Sequence, residues 1–366
     1  MSGPRTSAVR VQGVDVARGV ASLIMIQGHA YDGWVAPEDK ASAAYLFTRL
    51  LGSLPLPAFL VLAGAAVVLR VDAARRRGED LGDVRRAVAK RGAMVLLYGY
   101  LTNLAYAAMD GFDSVDTILR ADVLHVIGLS IVAVAVLGIR EDRRALPVAA
   151  VVLTIVPTLA CPWLSPLGAA APGPLRWVAG LFVDVPSVTL MPFVPLVSWL
   201  ALGALTSLAM LRARGDRPLR AGAPPSFFVA MGLGALVIAV AAAAATPRMV
   251  EALGGTLSRA HPAVWLNVVD LGARGLLVLA VAALVTPALP DRVRAGLVRL
   301  GQGSLVAYVF HIPFCYGRLG EPLRGRLDMP RATLAVVALM VLSWLAVYAR
   351  DRLRDRARTR VGGTVH

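Results

Sequence analysis

Residues 10–34 read RVQGVDVARGVASLIMIQGHAYDGW, and this stretch decides the fold class. It is long and apolar enough to cross a bilayer as a helix. Yet five polar side chains recur at spacings of three, four, seven and three residues: Asp15, Arg18, Ser22, His29 and Asp32. With Met25 in the gap, they form one continuous stripe along a helix. Ionisable groups in membranes normally face a protein interior or a hydrated cavity, so the stripe predicts a buried polar site.

The two ends of this stripe differ in chemistry. At a rise of 1.5 Å per residue, Arg18 and His29 lie roughly 16 Å apart along the helix axis. One helix therefore carries a cation near one membrane face and a titratable imidazole near the other.

The composition indicates the same class of protein. Of the 366 residues, 57% are hydrophobic and 17% are charged, whereas soluble domains are about 45–50% apolar. We predict an all-α, polytopic integral membrane bundle. The net charge of +15 could suggest nucleic acid as a partner, but the Lys and Arg residues cluster in short loops. Such clustering is a topology signal, so we expect a lipid bilayer and no nucleic acid as partner.

Ten apolar segments are predicted to span the membrane within one domain, residues 1–366, that ends in a basic tail, residues 350–366. The spans are 14–34, 51–71, 92–109, 118–138, 145–161, 188–211, 226–246, 264–287, 300–317 and 331–349.

Loop charge sets the expected orientation. One alternate set of loops holds about 25 Lys and Arg residues and the other about 8. Lys and Arg favour the cytoplasmic side, so both termini are predicted to be cytoplasmic. Segment 110–116 has no basic residue and is predicted to lie outside.

Residues 162–187 are rich in Pro and Gly. We interpret them as an outer loop with an interfacial or re-entrant helix near Leu175–Val183. The two cysteines, Cys161 and Cys315, form no close-spaced motif, which predicts two unpaired buried thiols and no metal site.

Three further spans carry polar stripes at helical spacing, which predicts that four helices converge on one partly hydrated cavity. The stripes are Arg120, Asp122 and His125; Asn267, Asp270 and Arg274; and Ser304, Tyr308 and His311.

Structural roles are open alternatives for several of these residues. Asp270 and Arg274 could form an ion pair that locks helices. Tyr308 and His311 could hydrogen-bond across helices. A structural histidine is also an alternative for His29. However, Asp32 lies one turn further on and could orient or charge the imidazole, the arrangement that a general base needs.

Two more structural alternatives concern helix ends. Arg120 and Asp122 could be solvated at the interface. Asp15 and Arg18 could pair with each other at the cytoplasmic edge.

These motifs resemble the transmembrane acyltransferases, in particular the heparan-α-glucosaminide N-acetyltransferase-like branch, related to the O-antigen-type enzymes. The first helix is similar to the family pattern R-x-x-x-x-D-x-x-R-G followed by a His. Matching segments follow in order over about residues 10–317. The matching residues and segments are Arg10, Asp15, Arg18, Gly19, His29, PLPAFLVLAGAAVVL (55–69, with Phe59 and Gly64), RADVLHVIGLS (120–130) and LGQGSLVAYVFHIPF (300–314).

The resemblance implies transfer of an acyl group from cytoplasmic acyl-CoA, acetyl-CoA above all, to a sugar or glycan-like acceptor outside. It implies that Arg18, beside Asp15, and more weakly Arg91, hold the donor phosphates. His29 would be the general base or form an acyl-histidine.

The resemblance also suggests roles for the remaining polar residues. Asp32, or Asp122 beside His125, would orient the imidazole. Tyr308 and His311 would stabilise charge on the thioester oxygen.

Two other functions are compatible with the same residues. Buried Asp, Arg and His also serve proton-coupled secondary transporters or exporters, although no internal repeat is visible. The polar stripes could also pack helices in a non-catalytic scaffold. The composition suits a bacterial inner membrane, and small residues on many helices permit a homodimer.

Overall fold

The computed structural model describes residues 12–112, 114–215 and 223–362, with side chains up to residue 356. Arg10 of the first motif and the last four residues of the basic tail lie outside the described residues, as does part of the 212–225 loop.

The described residues form a bundle of helices without a β-strand, which confirms the all-α prediction. The α-helices are α1 (Gln12–Trp34), α2 (Ala43–Gly52), α3 (Pro55–Arg76), α4 (Leu81–Asp110), α5 (Val115–Leu119), α6 (Val123–Gly138), α7 (Ala145–Ala169), α8 (Leu175–Phe182), α9 (Phe193–Arg214), α10 (Pro225–Leu253), α11 (Val264–Val285), α12 (Asp291–Gln302), α13 (Ser304–Cys315) and α14 (Met329–Gly362).

Each predicted span overlaps a helix. Within the described part of the chain, six helical segments are long and apolar enough to cross a membrane, and the first of them joins α2 to α3. These segments are Ala43–Arg76, Ala145–Ala169, Phe193–Arg214, Pro225–Leu253, Val264–Ala288 and Met329–Arg356. The membrane bundle is therefore confirmed, whereas the ten spans and the cytoplasmic termini stay predictions.

The predicted outer loop, residues 162–187, begins later in the structure than expected. Helix α7 continues past residue 161 to Ala169, although Pro157, Pro162 and Pro166 lie inside it. Membrane helices tolerate proline because side chains and neighbouring helices satisfy the backbone groups that it frees. The short helix expected near Leu175–Val183 is present as α8.

Helix α1 is the central element and packs against α2, α3, α11, α12, α13 and α14. Its contact with α12 is backbone to backbone. A Cβ on Gly19 would lie 2.2 Å from the carbonyl oxygen of Leu297, and a Cβ on Gly301 would lie 2.0 Å from that of Asp15. Only glycine fits at these two positions, which explains the Gly that follows Arg18 in the motif.

Cys161 and Cys315 are both free and buried, as predicted. Cys161 lies in α7 and Cys315 ends α13.

Candidate functional site

A cavity of about 790 Å³ lies among α1, α3, α4, α6, α9, α11 and α13. Its polar wall includes His29 of α1, Asp122 directly before α6, and Tyr308 of α13. Helix α11 contributes Leu271, next to Asp270. The structure thus brings polar residues of α1, α13 and the segment before α6 to one cavity, whereas the polar stripe of α11 does not line it. The cavity has the size of a small-molecule site.

His29 hydrogen-bonds to another histidine. Its Nδ1 is 2.8 Å from Nε2 of the fully buried His311, and the two rings are nearly parallel. Nδ1 of His311 lies 2.7 Å from the carbonyl oxygen of Ala307.

These two bonds fix the tautomers of the neutral imidazoles. A carbonyl oxygen can only accept, so Nδ1–H of His311 donates to Ala307 and its Nε2 holds a lone pair. Nδ1–H of His29 donates to that lone pair. The remaining nitrogen of His29, Nε2, is then the unprotonated one, and His29 lines the cavity.

Tyr308 and Asp122 form the neighbouring part of the wall. The Tyr308 hydroxyl donates to Oδ2 of Asp122 at 3.0 Å, and the Tyr308 ring lies 6.0 Å from that of His311. Oδ1 of Asp122 accepts the backbone N–H of Val123 and caps α6. The cap holds the carboxylate in place, so Tyr308 is fixed from α6.

Asp122 contacts the His125 ring through its backbone. The backbone N–H of Asp122, not its side chain, donates to Nδ1 of His125 at 3.0 Å. His125 is buried with its ring 4.2 Å from that of Tyr100. This reciprocal arrangement is a capping box, so local helix-start geometry accounts for the i, i+3 spacing.

Asp32, expected to orient or charge His29, has three other side chains as hydrogen-bond partners. The Asp32 carboxylate accepts hydrogen bonds from Arg49 at 3.0 Å, Tyr45 at 3.3 Å and Tyr316 at 3.0 Å. These donors come from α2 and the end of α13, which fold back over α1. Tyr316 lines the cavity, 5.5 Å from the His29 ring, so Asp32 reaches the site through Tyr316.

The other end of α1 holds the expected donor-binding residues. A guanidinium nitrogen of Arg18 donates to the carbonyl of Leu62 in α3 at 3.4 Å, and Asp15 accepts from Gln302 of α12 at 3.1 Å. Arg91 is an exposed side chain of α4. Among the described residues, no group of three or more His, Cys, Asp or Glu could hold a metal ion.

Asp270 and Arg274 form the ion pair that was one alternative for them. Two nitrogens of Arg274 each lie 2.7 Å from a carboxylate oxygen of Asp270. The third nitrogen donates to the hydroxyl of Ser53 at 3.1 Å, and Ser53 lines the cavity. The ion pair therefore contacts the cavity wall through Ser53 and does not line the cavity itself.

Sequence reasoning missed Arg49, Tyr45 and Tyr316. A signal existed for Arg49, because it lies in a loop region that the charge pattern predicts to be outside, where Arg is uncommon. The two tyrosines gave no periodic signal, since their common partner Asp32 comes from another helix.

Comparison with known proteins supplies an independent observation. A family model described as heparan-alpha-glucosaminide N-acetyltransferase, catalytic, matches residues 10–238, more than half of the chain. The matched range includes His29 and Asp122, whereas His311 lies beyond it. No curated protein matches the chain.

Proposed function

Because the chain belongs to the heparan-α-glucosaminide N-acetyltransferase catalytic family, we propose that it is a membrane acyltransferase. It moves an acetyl or other small acyl group from cytoplasmic acyl-CoA to an extracytoplasmic sugar or glycan-like acceptor. The description of the family supports the acetyl group, and acetyl-CoA is the expected donor.

One observation supports His29 as the reacting residue. The hydrogen bond to His311 directs the lone pair of His29 to Nε2, on a side chain that lines the cavity. An imidazole nitrogen with a fixed lone pair can accept a proton or attack a carbonyl carbon.

In the base route, Nε2 of His29 takes the proton from the acceptor hydroxyl or amine. The acceptor oxygen or nitrogen bonds to the thioester carbonyl carbon, the carbon–sulfur bond breaks, and CoA leaves as a thiolate that takes up the proton. In the nucleophile route, Nε2 attacks the thioester carbonyl carbon, the carbon–sulfur bond breaks, and CoA leaves as a thiolate. The acceptor then attacks the acyl-histidine, the carbon–nitrogen bond to His29 breaks, and the acceptor proton is taken up by the CoA thiolate.

The groups around His29 position its imidazole and stabilise charge that develops during the reaction. Tyr308 would stabilise charge that develops on the thioester oxygen by turning its single hydroxyl proton from Asp122 to that oxygen. His311 keeps His29 in the reactive tautomer. Asp32 hydrogen-bonds to Tyr316 beside the His29 ring, and His125 completes the capping box at the start of α6. Asp32 and His125 therefore act as positioning residues.

The donor enters from the opposite end of α1. Arg18, beside Asp15, contacts the CoA phosphates, with Arg91 as a second cation. The pantetheine arm then covers the roughly 16 Å to His29. This arrangement requires cytoplasmic termini, and we propose all ten spans in a bacterial inner membrane.

The experiment uses the full chain in lipid with radiolabelled acetyl-CoA. Wild type, His29→Ala and Arg18→Ala are compared for acetyl-CoA binding, CoA release and protein labelling. His29→Ala should lose CoA release by about 10²- to 10⁴-fold, as expected for a general base, while binding stays intact. Arg18→Ala should lose binding.

His261→Ala is the matched control, because His261 lies in the loop before α11 and bonds the carbonyl of Gly254. Label retained on wild type but not on His29→Ala supports the acyl-histidine route. If wild type neither binds nor cleaves acetyl-CoA or longer acyl-CoAs, the enzyme proposal fails, and proton-coupled transport becomes the function to assay.

A further inference from the structure

Arg120 lines the same cavity as His29 but lacks a partner of opposite charge. Its Nε is buried without a hydrogen-bond partner, and the described part of the chain provides no ion pair for its guanidinium. The residue as a whole is half-buried, and ionisable groups within a membrane protein normally face a hydrated cavity, where they pair or serve a substrate.

The acidic residues that lie near Arg120 in the chain or line the same cavity form hydrogen bonds with other groups. Asp116 accepts from Arg176 at 2.5 Å and from Trp177 at 2.8 Å. Asp122 accepts from Tyr308 and from its own helix. Asp110, which also lines the cavity, accepts the backbone N–H of Arg318 at 2.9 Å.

The backbone on both sides of the Arg120 side chain is fixed. The Asn103 amide donates to the carbonyls of Arg120 at 2.8 Å and of Ile118 at 3.2 Å. Ala121 exchanges backbone hydrogen bonds with Val188 at 2.8 Å and Leu190 at 2.9 Å. The backbone that carries the Arg120 side chain is therefore fixed at the wall of the cavity.

We propose that Arg120 binds an anionic group, a carboxylate or phosphate, on the acceptor sugar. This inference rests on the proposed function and adds the chemical class of its acceptor. A guanidinium forms two parallel hydrogen bonds to either anion, so Arg120 fixes the acceptor while His29 faces the group that receives the acyl chain. Arg120 is thus a specificity-determining residue.

Direct binding tests this without turnover. Calorimetry on the full chain in nanodiscs compares glucuronate and glucose 6-phosphate with neutral glucose, and acetyl-CoA is titrated separately. Wild type should bind the anionic sugars about tenfold or more tighter than glucose, the size expected of a charge-assisted hydrogen bond. Arg120→Gln should bind all three sugars alike and acetyl-CoA as wild type does.

Arg120→Lys should keep part of the preference, because lysine retains the charge without the planar fork. Arg120→Lys also keeps the test valid if Arg120→Gln fails to fold. Thermal unfolding shows whether each variant is folded. Arg143→Gln, an exposed arginine between α6 and α7, is the matched control and should behave as wild type.

The inference is overturned if wild type does not prefer the anionic sugars, or if Arg120→Gln keeps that preference. It is equally overturned if Arg120→Gln weakens acetyl-CoA alone, since Arg120 would then bind the donor. Failure of the proposed function has a different signature, the absence of CoA release, which sugar binding does not report.

Discussion

At the residue scale, His29 depends on a partner 282 positions away in the chain. The hydrogen bond from His29 to His311, and that from His311 to the Ala307 carbonyl, leave His29 one free acceptor nitrogen. If His311 were removed, the His29 ring could take either tautomer and rotate. The wrong tautomer cannot accept a proton at the nitrogen that faces the substrate.

Two substitutions of His311 separate this tautomer role from simple packing. His311→Leu fills the buried space without hydrogen bonds and should lower the rate constant of CoA release by about 10²-fold or more. His311→Gln can donate to Ala307 and accept from His29, so it should keep much more of that rate. Single-turnover kinetics and the thermal unfolding temperature are measured for both. Equal rates in the two variants at equal stability would contradict the tautomer role.

At the element scale, α1 can hold its polar stripe at the centre of the bundle because its backbone touches that of α12. A Cβ on Gly19 would lie 2.2 Å from the Leu297 carbonyl oxygen, so Gly19→Ala must push the two helices apart. It should destabilise the protein by about 1–3 kcal/mol, the usual effect of overpacking.

Gly234→Ala in α10 is the matched substitution, because a Cβ there meets no atom within 4 Å. It should be neutral or stabilising by up to about 1 kcal/mol, since alanine favours helix. Thermal unfolding in detergent measures both variants. A Gly19→Ala protein as stable as Gly234→Ala would show that the α1–α12 contact is not tight.

The sequence predicted features of single helices wherever the residues concerned lie within a few turns of one another. Ionisable residues inside an apolar run predicted the polar face of α1, and Asp122 and His125 could be grouped because they lie one helical turn apart. The structure adds that the pair forms a capping box, which the same spacing also fits.

The contacts that build the cavity are long-range. His29 with His311 and Asp32 with Tyr316 join α1 to α13, and Arg274 with Ser53 joins α11 to the segment before α3. No periodicity within one helix reveals which other helix it faces. Single-sequence reasoning therefore found most of the polar residues but not their partners.

At the scale of the whole molecule, the proposed reaction needs Arg18 and His29 to face opposite sides of the membrane. Helix α7 offers a direct test of orientation, since it is a 25-residue apolar helix with exposed residues just outside both ends, Glu141 and Ala170. The basic loop 139–144 predicts that Glu141 is cytoplasmic and Ala170 is outside.

Single cysteines at these two positions report the orientation. A membrane-impermeant maleimide should label Ala170→Cys in intact cells, and Glu141→Cys only after the cells are opened. Wild type is the background control, because Cys161 and Cys315 are fully buried and should not react. Labelling of both positions from one side would mean that α7 does not cross. The reverse pattern would put His29 on the cytoplasmic side, and acyl-CoA would then reach it without crossing the bundle along α1.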